Sequence, residues 1–206
     1  MKIKLLALTL SLLFFTNCNS YKSANSALVS GNFQQAFEQS TQAYFKNPSE
    51  KNGIKYVPLI FEAYNKGQQE DENRLKQIET LTNPSKYQEA YQIINRLQER
   101  QKTIAGIDGR SISGKTYNFK TKDYSTAYKT IQEKYAQFLY DEGKSFLNQG
   151  GKLNAQTAYQ KFQVLESVYS NYKDTRSLMN TARTNGMYKV LVQLGDNTCL
   201  LYTSPS

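Results

Sequence analysis

Small and aromatic residues recur at three-to-four spacing along almost the whole chain, and Gly, Asn and Pro break that rhythm at intervals. A period near 3.6 puts such residues on one face of a helix, while a strand needs a period of two. The pattern over residues 20–183 therefore predicts an all-α body of roughly seven or eight helices, since helix breakers rather than alternating segments separate the runs. Small residues let two antiparallel helices approach, an aromatic fills the groove between them, and proline keeps the second helix from running on. Ala24 and Ala27 are the small residues of a first helix, followed by Gly31-Asn32-Phe33-Gln34-Gln35-Ala36, then Ala43 and Pro48.

That arrangement resembles the turn and second helix of a tetratricopeptide repeat. Near the end Leu139, Glu142-Gly143 and Phe146, followed by Ala158 and Phe162, match the same family's first and second helices. Between them Asn148-Gln149-Gly150-Gly151-Lys152-Leu153-Asn154 reads as a longer turn than the family uses, and Ser170 stands at its proline position. In the middle Tyr56, Leu59, Ala63, Gly67 and Pro84 fit one weak repeat, with Pro58 expected to break or start its first helix. Tyr87, Ala90, Ile94 and Leu97 belong to an amphipathic helix over residues 87–102. The resemblance implies antiparallel helical hairpins stacked as a short solenoid.

A long helix is expected over residues 123–148, with Tyr124, Tyr128, Ile131, Tyr135, Phe138 and Phe146 on one face. Such a stripe serves either as core or as the aromatic lining of a concave binding surface.

The N-terminus reads as an address. Lys2 and Lys4 precede an apolar run over residues 5–15 that is too short to span a bilayer but suits a signal-peptide core. Phe15-Thr16-Asn17-Cys18 resembles the lipobox of bacterial lipoproteins, with Asn17 where the box usually carries a smaller residue. The resemblance implies cleavage after residue 17 and lipid on Cys18; the alternative is an ordinary secretory signal with a free cysteine. Several acyl chains on one residue give stable anchoring, because each buried methylene contributes about 0.8 kcal/mol. Asn19 follows the cysteine, and no acidic cluster occupies residues 19–30. By resemblance this favours an outer-membrane anchor facing the periplasm.

The chain has no histidine and only two cysteines, Cys18 and Cys199. These absences remove His-based acid-base pairs, His-bound metals and a disulfide or zinc site within the body, so neither catalysis nor a metal or cofactor is expected. The net charge of +9 comes from lysines spread singly among Gln, Asn and Glu, which reads as a solvated surface rather than a nucleic-acid stripe. Glu70-Asp71-Glu72 and Asp141-Glu142 are expected on solvated helix faces as well.

Gly109-Arg110-Ser111-Ile112-Ser113-Gly114-Lys115-Thr116 satisfies the phosphate-loop formula, with Gly109, Gly114, Lys115 and Thr116 at its fixed positions. Phosphate binding needs a buried strand before that loop and a helix after it. The flanks instead read as a helix and an extended segment. The match is therefore taken as chance within a flexible connector, residues 103–122, with no nucleotide bound.

After Gly186 the run Met187-Tyr188-Lys189-Val190-Leu191-Val192-Gln193-Leu194 reads as one strand, expected to open a β-containing domain over residues 187–198 that is cut short. Residues 199–206, Cys-Leu-Leu-Tyr-Thr-Ser-Pro-Ser, resemble a translated sequencing adapter. Together, Tyr140-Asp141-Glu142-Gly143, Ala158-Tyr159-Gln160-Lys161-Phe162 and Asn171-Tyr172-Lys173-Asp174 resemble repeat-bearing lipoproteins of Bacteroidota. The expected organisation is a signal peptide over residues 1–17, a helical-repeat domain over 18–186, then the strand and the adapter-like tail. The function this implies is a lipid-anchored scaffold whose repeat surface binds envelope proteins or peptides. The alternative is a helical spacer for an enzyme or carbohydrate-binding domain lying beyond the strand.

Overall fold

A computed structural model describes residues 16–187, with side chains from Ser20 onward. Among the described residues there are seven helices: α1 (Thr16–Val29), α2 (Phe33–Lys46), α3 (Glu50–Glu79), α4 (Lys86–Ile104), α5 (Ser125–Gln149), α6 (Lys152–Val168) and α7 (Thr175–Gly186). Two short strands, β1 (Ser111–Ile112) and β2 (Lys115–Thr116), pair antiparallel between α4 and α5. The expected all-α body is thus observed. The expected strand over residues 187–194 and the adapter-like tail lie outside the described residues, apart from Met187, which is not in a strand. The chain divides into two compact units, Met1–Tyr135 and Ala136–Ser206, with the boundary inside α5.

In the first unit α1 packs on α2, and both pack on α3. The α1–α2 reversal closes by backbone chemistry. Asn32 N–H donates to Ala27 O at 2.8 Å and Gly31 N–H to Leu28 O at 3.2 Å, with Gly31 at φ +81°, a Schellman stop that only glycine adopts without strain. Asn32 then starts α2, its side chain accepting from Gln35 N–H at 3.1 Å. Ala24, Ala36, Val57, Ile60 and Ala63 are wholly buried where the three helices meet.

Four expectations change here. Among the described residues helical backbone runs from Thr16, so Cys18 lies within α1 rather than ahead of it, and no glycine or proline interrupts residues 16–29. Pro58 neither breaks nor starts a helix but sits inside the 30-residue α3. It is exposed, while Tyr56, Val57, Leu59 and Ile60 are buried around it, so the burial of its neighbours outweighs the one backbone donor that proline lacks. The turn between α5 and α6 is shorter than expected, only Gly150 and Gly151, at φ +69° and +79°. Their left-handed backbone reverses the chain at once, and Asn154 donates to Gly150 O at 2.9 Å.

The fourth concerns residues 103–122, which form no loose connector. α4 continues through Ile104, and Ile107, Tyr117 and Phe119 are buried in the first unit's core. Phe61 meets Tyr117 and Phe119 edge-on, at 5.5 and 5.2 Å between ring centroids. Phe119 N–H donates to Asp108 at 2.8 Å and Tyr64 OH to Lys120 O at 2.9 Å, fixing the segment that follows β2.

Of the expected aromatic stripe, Tyr124, just ahead of α5, and Tyr135 are buried, Tyr128 and Ile131 pack half-buried against the core of Ile78, Ile94 and Leu97, and Phe138 and Phe146 are half-buried. Tyr91 of α4 lies 5.9 Å from Tyr128 and 5.4 Å from Tyr135 between ring centroids. In the second unit α6 packs on α7, and Gly143 of α5 lies under Phe162 of α6, which is wholly buried. The loop leading into α7 is held to α5, where Tyr140 donates to Asp174 at 2.6 Å and Gln137 accepts from Tyr172 at 2.9 Å.

Candidate functional site

The most developed polar site lies in the first unit, between the α1–α2 turn, α3 and α4. On α3, Gly67 and Asp71 are one turn apart; on α4, Arg96 and Arg100 are as well, so each pair shares a helix face. Where the faces meet, Asp71 is 4% exposed and Arg100 3%. Arg100 Nη1 donates to Asp71 Oδ2 at 2.6 Å and its Nε to Gln34 Oε1 at 2.9 Å. Arg96 completes the cluster with a two-pronged fork, Nε to Asp71 Oδ2 at 2.9 Å and Nη2 to Oδ1. Gly67 makes the cluster possible: a Cβ there would stand 3.0 Å from Arg100 Cζ, so the guanidinium lies flat where a side chain would be.

Electrostatics separate the two arginines. Hydrogen bonding to Asp71 holds Arg96 above the ordinary guanidinium range, whereas burial pulls Arg100 below it, only partly countered by the Asp71 charge. Arginine does not lose its proton in proteins, so these are statements about how strongly each charge is held.

Above this floor a groove of about 770 Å³ opens. Its wall carries a second fork, Arg74 Nε and Nη2 to the two oxygens of Glu89 at 2.6 and 2.8 Å, which holds Glu89 below the usual carboxylate range. The amides of Asn32, Gln34, Asn73, Gln77 and Gln92 supply most of the remaining polar lining. Three arginines face three carboxylates, Glu70, Asp71 and Glu89, so the lining is neutral in sum. A neutral surface of fixed forks and amides suits recognition by many hydrogen bonds. Proton transfer does not suit it, because the carboxylates that anchor it are already held by guanidinium groups.

Asp71 is a correction to the sequence reading, which placed residues 70–72 on a solvated face. Partners 25 and 29 residues away remove it from water. Of the other carboxylate pair, Asp141 is exposed as expected, while Glu142 accepts from Lys161 at 2.6 Å and is half-buried. The available signal for the groove was a glycine inside a helical run, four residues before an acid, with two arginines at matching spacing later in the chain.

Gly109, Gly114, Lys115 and Thr116 lie elsewhere. Ser111 pairs with Thr116 and Ile112 with Lys115, so Ser113 and Gly114, at φ +50° and +79°, form the two-residue tip of a hairpin. A helix, α4, precedes the segment, and the next helix begins only at Ser125. Lys115 Nζ stands 5.1 Å from the centroid of the Tyr117 ring. Among the described residues no group of three His, Cys, Asp or Glu is placed to hold a metal, and no helix is long and apolar enough to cross a membrane. No family model matches the chain, and no curated protein or solved structure matches it either.

Proposed function

We propose that this chain is a lipid-anchored lipoprotein of the bacterial cell envelope, tethered through Cys18 to the outer membrane on its periplasmic side, whose tetratricopeptide-like hairpins act as a protein-interaction scaffold. The observation that carries the binding role is the groove over Asp71, Arg96 and Arg100. Its donors are already oriented, so a partner meets them with little further loss of side-chain freedom. The lining is rich in amides that both donate and accept, which matches the alternating N–H and C=O groups of an extended peptide segment. The short lipobox-like segment supports the anchor, and the helical hairpins with small residues under aromatics support the repeat reading.

The test is recovery of partners from detergent-solubilised envelopes, comparing the native chain with Arg96→Glu. Arg96 is the exposed member of the cluster, its side chain 33% accessible, so the change alters the groove surface. Specific envelope proteins should be recovered with the native chain and lost with the variant. Equal recovery by both chains would remove the groove from the binding surface. Radiolabelled palmitate should label the chain in its producing cell, and Cys18→Ser should abolish the label.

A further inference from the structure

A second cleft, remote in character from the polar groove, opens between the end of α3, the start of α4 and the first turns of α5, with a volume of about 370 Å³. Its floor is aliphatic: Leu75, Ile78, Ala90, Ala127 and Ile131. Ala90 and Ala127 leave the space, since larger side chains at either position would close it. Two ammonium groups stand at the rim. Lys86 Nζ lies 5.4 Å and Lys134 Nζ 5.5 Å from the centroid of one ring, that of Tyr87, so both stand beside that ring. Lys86 is held there by donating to Glu79 O at 3.2 Å and to Leu81 O. Neither lysine forms an ion pair with a described residue. Glu79 shares the rim, so two lysines against one carboxylate leave one net positive charge.

We infer that this cleft binds a free medium-chain fatty acid, its chain on the aliphatic floor and its carboxylate between Lys86 and Lys134. The volume lies within the range of small-molecule sites, and such sites combine an apolar lining with a few placed polar groups. The lining argues against a peptide, because apart from the rim charges Thr130 and the Tyr87 hydroxyl are its only polar side chains, too few to satisfy a peptide backbone. It argues against a cationic or uncharged amphiphile through its charge. Each methylene moved from water to the floor contributes about 0.8 kcal/mol, and the ammonium groups supply charge-assisted hydrogen bonds at one end only.

The full chain is incubated with a diazirine-bearing dodecanoic acid, irradiated, and the labelled peptides are mapped by mass spectrometry. Label should concentrate in residues 75–90 and 127–134, and unlabelled dodecanoate should displace it. Dodecanol should compete about tenfold less well, and Lys134→Gln should weaken dodecanoate competition by about the same factor. Ala127→Phe, at an exposed position, should fill the cleft and remove the label while circular dichroism shows the helices intact. Label spread along the chain, equal competition by dodecanol, or undiminished labelling of Ala127→Phe overturns the proposal. Competition by phosphatidylglycerol vesicles at lower concentration than dodecanoate overturns it too, since the rim then recognises a lipid surface.

Discussion

Arg100 and Asp71 form an ion pair at 2.6 Å with side chains only 3% and 5% exposed, and Gly67 provides the hollow that lets the guanidinium lie there. A pair so far out of water is held together as much by what its loss exposes as by its own attraction. Taking two charges out of water costs several kcal/mol each, and the fork from Arg96 and the bond to Gln34 offset part of that cost.

Asp71→Ala should therefore destabilise the first unit by about 3–5 kcal/mol, because it leaves Arg100 buried, uncompensated and beside Arg96. Replacing the pair together, Asp71→Leu with Arg100→Met, should restore most of that loss, since no charge then remains buried and Arg96 can turn to water. Urea unfolding of both variants measures the difference. A double variant as unstable as Asp71→Ala would mean that packing around Gly67, rather than charge, sets the stability here.

The alkaline limb of stability should report on Tyr64. Burial, with the nearby Asp108 charge adding to it, pushes its phenol up to about 12, while an unfolded tyrosine ionises near 10. The folded state thus keeps a proton that the unfolded state releases. Its contribution is complete below pH 10 and is lost as pH rises toward about 12. Tyr64→Phe should cost about 1 kcal/mol at neutral pH through the missing bond to Lys120 O. That difference from the native chain should shrink steadily between pH 10 and 12, which urea midpoints taken across the range will show. A difference that stays constant would place the phenol in water.

The hairpin tip offers a change in the stabilising direction. Ser113 sits at φ +50° ahead of Gly114 at φ +79°, a turn in which both central residues are left-handed and Asn-Gly is preferred. Ser113→Asn should raise stability by up to about 1 kcal/mol, because asparagine adopts that backbone more readily than serine. Gly114→Ala should lower it by a similar amount. Thermal melts of the two variants should move in opposite directions, and a fall with Ser113→Asn would show that the turn relaxes to another type in solution.

How much of this was legible beforehand depends on the range of the interaction. Helices were readable because Ala24, Ala36, Leu97 and Ala158 declare a buried face through spacing alone, and all four are buried. Asn32 and the paired glycines at residues 150 and 151 punctuate the chain by local backbone preference. Pro58 misled because its local effect, a missing donor, is small beside the burial of its neighbours over the 30 residues of α3. Residues 103–122 carry few periodic positions and so point to a loose connector, yet Tyr117 and Phe119 are buried against Phe61 of α3. Nothing within a helical turn of Asp71 carries a positive charge apart from Arg74, which pairs with Glu89 instead, so local spacing points to a solvated face. Its partners come from another helix, and a single sequence offers only their spacing as a sign.

Gly143 is where the packing of glycine under an aromatic ring in the second unit can be tested most directly. A glycine in the middle of a helix is unfavourable by about 1 kcal/mol relative to alanine, so by propensity alone Gly143→Ala should stabilise α5. Packing opposes that. A Cβ at residue 143 would stand 2.5 Å from Phe162 Cε1 and 2.8 Å from Cζ, and the Phe162 ring is wholly buried with no solvent to move into. Overpacking of this kind costs about 1–3 kcal/mol, so Gly143→Ala should be net destabilising. Combining it with Phe162→Leu separates the two terms: the smaller side chain removes the clash, and the double variant should be more stable than Phe162→Leu alone by up to about 1 kcal/mol, the propensity gain. Chemical unfolding of the four chains in this cycle gives the coupling directly. Additive effects of the two changes would mean that α5 and α6 do not meet at this glycine, and the small-under-aromatic reading of the hairpin would fall with that contact.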